Sequence, residues 1–197
     1  MVVDRGMEAV TTREVCEQSR VLLLASPTAV SAGGLCTDLM HAGSAHETHA
    51  LEIAYNRSPD AVVEDWRQGA GELPASMAII CPESRHVRAM PEDVHVTTVA
   101  PSDLTGVGIA VTRYLDRWKG SGREITVCLD SLTTVLQYAD VERVFRFLHT
   151  LNGRFVAADA TAHVHLDPAA QDDQTVSTIA TLFDAVIAHE NGQWVVE

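Results

Sequence analysis

Apolar and β-branched residues along this chain gather in short runs, at 21–26, 50–55, 75–81, 94–99 and 125–129, broken by isolated polar residues such as Glu52 and His95. Runs of this length without polar alternation predict strands buried on both faces, the pattern of a mainly parallel sheet covered by helices. Between them apolar positions recur at helical spacing, most clearly at Leu104, Val107, Val111, Leu115 and Trp118, behind a Ser102-Asp103 cap and before Gly120 and Gly122. A helix over 58–68 opens on Ser58-Pro59-Asp60, and others are expected over 31–40, 140–151 (ended by Asn152-Gly153) and 174–183. A further strand is expected at 155–158, and Asn191-Gly192 predicts a closing hairpin between 185–187 and 194–196. Residues 1–18 read as a polar arm or short helix. The alternation of strands and helices predicts an α/β fold, three layers with a mostly parallel central sheet and a C-terminal hairpin, in one domain over 1–197.

Charge narrows the partners. The net charge of -13 leaves no basic face to release counterions from a phosphate backbone, which argues against nucleic acid. Lys119 is the one lysine among fourteen cations, a composition that fits a cytosol of very high salt. No apolar run is long enough for a bilayer and the first residues show no signal-peptide core, so a cytoplasmic protein with no membrane partner is expected. Cys16, Cys36, Cys81 and Cys128 form no C-x-x-C pair and read as free thiols.

The run at 125–129 ends on Asp130, at the carboxyl end of a strand, where open α/β sheets bind ligands. Asp130 is thus placed either to ligate a Mg²⁺-nucleotide or to cap a turn through Ser131. Four segments taken in order resemble the RecA-like branch of the P-loop ATPases, and within it the KaiC-like proteins and their degenerate relatives in salt-loving archaea. They are the strand at 21–26, the helix at 103–110, the Walker B-like Ile125-Thr126-Val127-Cys128-Leu129-Asp130-Ser131-Leu132, and the tail from Leu166-Asp167-Pro168 to Gly192-Gln193-Trp194-Val195-Val196. The resemblance implies a RecA-like fold and a nucleotide site formed by Asp130, Ser131 and the loop residues Ser26, Pro27, Thr28, Ser31, Gly33 and Gly34.

The catalytic parts of that family pattern are missing. A P-loop wraps phosphate with glycine amides and reaches it with a lysine, but no G-K-S or G-K-T triplet occurs, and Lys119 lies before the 125–129 strand, on the wrong side of the sheet. After the second strand, where the resemblance implies a glutamate pair that activates water, the chain reads Tyr55-Asn56-Arg57, and neither amide nor guanidinium is a general base. Glu83 reads as a spare or a solvated loop acid. The site is therefore expected to be vestigial, with no catalytic residues: a non-catalytic regulatory or signalling protein acting through a protein partner or self-association. The alternative is a protein that binds ATP and Mg²⁺ with little hydrolysis.

His41, His46 and His49 cluster, and His163 and His165 stand two apart, but no cysteine lies at ligand spacing to either set, so no metal is expected. Asp159 reads either as a γ-phosphate sensor or as a turn initiator, and Arg143 and Arg146 as fingers toward a neighbouring subunit or as a solvated helix face.

Overall fold

The computed structural model describes residues 12–27, 33–41, 43–82 and 90–197. The apolar runs become strands β1 (Val21–Ala25), β2 (Thr48–Ala54), β3 (Ser76–Pro82), β4 (Val94–Val99) and β5 (Glu124–Asp130), followed by β6 (Thr161–Leu166), β7 (Ala185–Glu190) and β8 (Gln193–Val196). The helices are α1 (Thr12–Gln18), α2 (Gly33–Met40), α3 (Pro59–Ala70), α4 (Leu104–Trp118), α5 (Leu132–Val135), α6 (Val141–Ala157) and α7 (Asp173–Ala180). The strands form one sheet in the order β4-β3-β2-β5-β6-β1-β7-β8. Every pairing is parallel except β7 with β8. The fold is a three-layer α/β/α sandwich. Among the described residues, no helix is long and apolar enough to cross a membrane.

Strand alternation divides the core between two faces. Ile125, Val127 and Leu129 of β5, with Leu23, Ile53, Ile80 and Val164, pack against Val107, Val111, Leu115, Leu148, Leu151 and Phe155 of α4 and α6. On the other face Ala50, Ala54, Met77 and Ile79 pack against Val62, Val63 and Trp66 of α3. Leu22, Leu24 and Ile187 meet α1 and the Leu35 and Leu39 side chains of α2.

Helix starts follow one device. Asp103, Asp140 and Asp172 each accept a hydrogen bond from the backbone N–H three residues on, at 2.8–2.9 Å, and Ser58 does the same at 3.3 Å. At the hairpin, Asn191 and Gly192 take φ of 49° and 85°, the two positive values that a twisted two-residue turn requires.

Two expectations fail together at 152–158. Asn152-Gly153 does not end α6, and 155–158 is its last turn rather than a strand. Leu148, Leu151 and Phe155 are all buried at helical spacing, so continuing the helix keeps Phe155 in the core. The Asn152 amide donates across to the Leu182 carbonyl at 2.7 Å instead of capping. The strand that follows is β6, begun after Asp159 at φ 58°. Residues 31–32 of the expected helix at 31–40, and residues 1–11 of the expected arm, lie outside the described residues.

Candidate functional site

β2 and β5 are neighbours, but the chain leaves β2 toward β3 and leaves β5 toward β6, in opposite directions along the sheet. The crevice between the two diverging loops is where ligands enter open α/β sheets. Arg57, three residues past β2, fills it. Its Nε donates to Asp130 Oδ2 at 3.1 Å, Nη2 to Glu52 Oε2 at 2.9 Å and Nη1 to Asp65 Oδ2 at 3.0 Å. Glu52 is 2% exposed, and its second oxygen accepts from Trp66 Nε1 at 3.2 Å. Burial pushes the Glu52 carboxyl above its ordinary value, and Arg57 pulls part of that rise back. Burial opposes the Arg57 charge too, but Glu52, Cys128 and Asp130 outweigh it and hold the guanidinium protonated.

The same crevice is laced by small polar groups. Asn56 Nδ2 donates to Ser131 Oγ at 3.1 Å, and Thr134 Oγ1 donates to Asn56 Oδ1 at 2.6 Å. Ser131 Oγ also caps α5 by accepting from the Thr134 N–H at 3.3 Å. Asn56 is thus committed to holding the two loops together, and Asp130 to a cation supplied by the chain.

Beneath this crevice the α2 side of the sheet turns polar. Register places Glu52, Cys128, His163 and Leu22 in one row across β2, β5, β6 and β1. Cys36 of α2 sits over it, with its Sγ 4.0 Å from Cys128 Sγ and 3.1 Å from His163 Nε2. His165, two residues along on the same face, brings its ring centroid within 5.2 Å of that of His163. One donor atom from each of Cys36, Cys128, His163 and His165 lies within 4.8 Å of the others. A hydrogen bond from Cys128 and the neighbouring His163 hold the Cys36 thiol well below its ordinary value against the effect of burial, and Cys128 is pushed well above. Burial lowers the His165 imidazole, but the Cys36 sulfur more than reverses this. No hydrogen bond of acceptable geometry reaches His165 Nε2, which is buried without a partner.

Of the residues expected at a vestigial nucleotide site, Asp130 and Ser131 stand together at the end of β5, joined by a cis peptide bond. Ser26 is buried just past β1, its N–H bonded to the Leu166 carbonyl at 3.0 Å, and Pro27 follows it exposed. Gly33 and Gly34 open α2. Thr28, Ser31 and Glu83 lie outside the described residues. Lys119 caps the end of α4 ahead of β5, at the opposite edge from Asp130. Asp159 is there as well, pairing with Arg20 at 2.8 Å; it precedes β6 instead of ending a strand, so it stands away from the crevice that a γ-phosphate sensor would face.

The three early histidines separate. His41 packs on Trp66, His49 stacks on Trp118 with centroids 5.0 Å apart, and His46 faces Glu72 at 3.4 Å. Two groupings escaped sequence reasoning: the Arg57 hub and the Cys/His cluster. The first had a signal, a lone glutamate inside an apolar strand, which demands a buried partner. The second had half of one, the His163 and His165 pair two residues apart; the two cysteines could not be joined to it along the chain because they come from two other elements.

Comparison with known proteins gives fold but no activity. No curated protein matches the chain. A solved structure described as "Structural study of Project ID PH0250 from Pyrococcus horikoshii OT3" superposes with a TM-score of 0.60 at 7% identity, covering 90% of this chain and 85% of that one, which is a likeness of fold alone. Residues 19–189, from the residues before β1 almost to the end of β7, match the profile of a protein family. The chain belongs to that family, the Family of unknown function (DUF7504).

Proposed function

We propose that this protein is a non-catalytic RecA/KaiC-like regulatory or signalling protein, a pseudo-ATPase that works through protein contact. The observation that carries the reading is the Arg57–Asp130 pair at 3.1 Å. Mg²⁺ would have to take Asp130 from a guanidinium that also neutralises the buried Glu52. Arg57 and Asp130 are both partly exposed, and Arg57 keeps Glu52 and Asp65, so giving up this charged hydrogen bond costs about 1.5–3 kcal/mol, which weakens a magnesium-dependent ligand by roughly one to two orders of magnitude in Kd. The absent loop lysine and the tethered Asn56 point the same way, since phosphoryl transfer rests on positioning and charge.

For contact, α4 and α6 enclose a groove of about 540 Å³ with Leu104, Ile109 and Phe147 among its lining and Arg143, Arg146 and Arg154 around it. Ile109 is 61% exposed. Arg146 is already paired with Glu142 at 3.1 Å, and carboxylates of a second copy of this acidic chain would meet Arg143 and Arg154.

The test is calorimetric titration of MgATP into the protein in concentrated KCl, with hydrolysis followed in parallel and Asp130→Asn alongside. No saturable heat and no hydrolysis are expected, together with self-association by sedimentation that Ile109→Asp abolishes. Saturable binding that requires magnesium and is lost in Asp130→Asn would replace this reading with that of a nucleotide-binding protein.

A further inference from the structure

The Cys36, Cys128, His163 and His165 cluster has no part in the reading above, which stands or falls without it. We propose that these four side chains form a zinc site that fastens α2 to β5 and β6. Two thiols and two imidazoles make one of the common closed ligand sets for structural zinc. With Zn–S near 2.3 Å, a tetrahedral site places its two sulfurs about 3.8 Å apart; here they are 4.0 Å apart. All four donor atoms already fall within 4.8 Å of one another, so little movement closes the shell.

A second observation points to a ligand independently of the spacing. His165 is 9% exposed, and its Nε2 is buried with no hydrogen-bond partner. An orphaned imidazole nitrogen in the interior is unfavourable, and a metal ion would supply the partner that no hydrogen bond of good geometry gives it. The donor set carries two negative charges when both thiols are ionised, so Zn²⁺ leaves the site neutral, as burial requires. Arg57 Nη2 lies 4.0 Å from Cys128 Sγ and supports the thiolate from outside the shell. Access exists: His163 lines a cleft of about 1470 Å³ that runs beneath Leu35 and Leu39 of α2 to the start of β5 and β6.

The placement gives the metal a purpose. α2 is eight residues long and follows the loop after β1. A zinc ion would add metal–ligand bonds to the packing of Leu35, Leu39 and Met40 and so fix that short helix on the sheet.

The experiment is zinc analysis and cobalt substitution on reduced protein purified without a histidine tag, in concentrated KCl. The wild type is expected to hold about one zinc per chain, and cobalt to give the intense visible bands of tetrahedral coordination with thiolate-to-metal charge transfer. Cys36→Ala, on half-buried α2, and His163→Gln should each reduce bound metal at least about tenfold, with circular dichroism still showing the α/β fold. Zinc should also protect Cys36 from alkylation. Folded wild type that stays below about a tenth of an equivalent after dialysis against zinc overturns the proposal. So does metal content unchanged in both variants, or a Cys36–Cys128 disulfide forming in air in the zinc-treated protein.

Discussion

Replacing Arg57 by methionine keeps the aliphatic stem and removes the charge that three carboxylates share. Asp65 is exposed and Asp130 is within reach of water, so the main cost falls on Glu52, whose side chain is 3% exposed. A buried carboxylate stripped of its partner destabilises by about 3–5 kcal/mol if it stays charged. It escapes part of that cost by taking a proton. Glu52 already titrates above the ordinary 4.5, and Arg57 is the largest influence holding it down, so the variant raises its folded value further.

Between 4.5 and that raised value the folded state holds a proton the unfolded state lacks. Stability therefore falls as pH rises, by at most about 1.4 kcal/mol per pH unit. The loss in Arg57→Met should be smallest at acid pH and grow as pH rises, toward the about 3–5 kcal/mol of a buried carboxylate left charged without its partner. Urea melts at fixed high KCl, repeated across that range, read the difference directly. Adding Glu52→Gln should flatten the pH dependence and recover most of the loss. Parallel wild-type and variant curves, or a double variant no better than Arg57→Met, would refute the assignment of Arg57 as the counter-ion of Glu52.

Trp66→Phe removes the indole donor to Glu52 Oε1 and should cost about 1.5–3 kcal/mol in the same melts, a loss that Glu52→Gln shrinks. Leu148→Ala opens a cavity between α6 and the sheet, where Leu148 is 1% exposed, and should lower stability by about 2–5 kcal/mol. Asp103→Ala leaves the first turn of α4 without its acceptor and should cost about 1 kcal/mol, whereas Asp103→Ser should cost less than half of that, measured by thermal unfolding.

The central strands were legible because burial on both faces leaves them few polar residues, and β4 emerges at 94–99 as expected although His95 and Thr98 of this edge strand are exposed. The hairpin was legible because Asn-Gly suits two positive φ values. The misreading at 152–158 came from treating Asn152-Gly153 as a stop, when the Asn152 side chain bonds a distant carbonyl and Phe155 holds the helix in the core. At the crevice, Asp130 could be placed from its position at a strand end. Arg57 was visible only as a residue unfit to be a base; its role needed the β2–β5 pairing that sets Glu52 opposite Cys128. Cys36, Cys128 and His163 are far apart in sequence, and spacing rules cannot join donors that meet only through sheet order.

The two borders of the sheet bear on how this protein can assemble. β8 is four residues long, and β4 has His95 and Thr98 exposed along its length. Short or polar margins of this kind discourage a neighbour from adding a strand, the route by which sheets grow into aggregates. Such margins leave the helix layers as the surfaces through which copies can meet, and whether the assembly closes or propagates then depends on whether the contact uses the same helix patch on both copies.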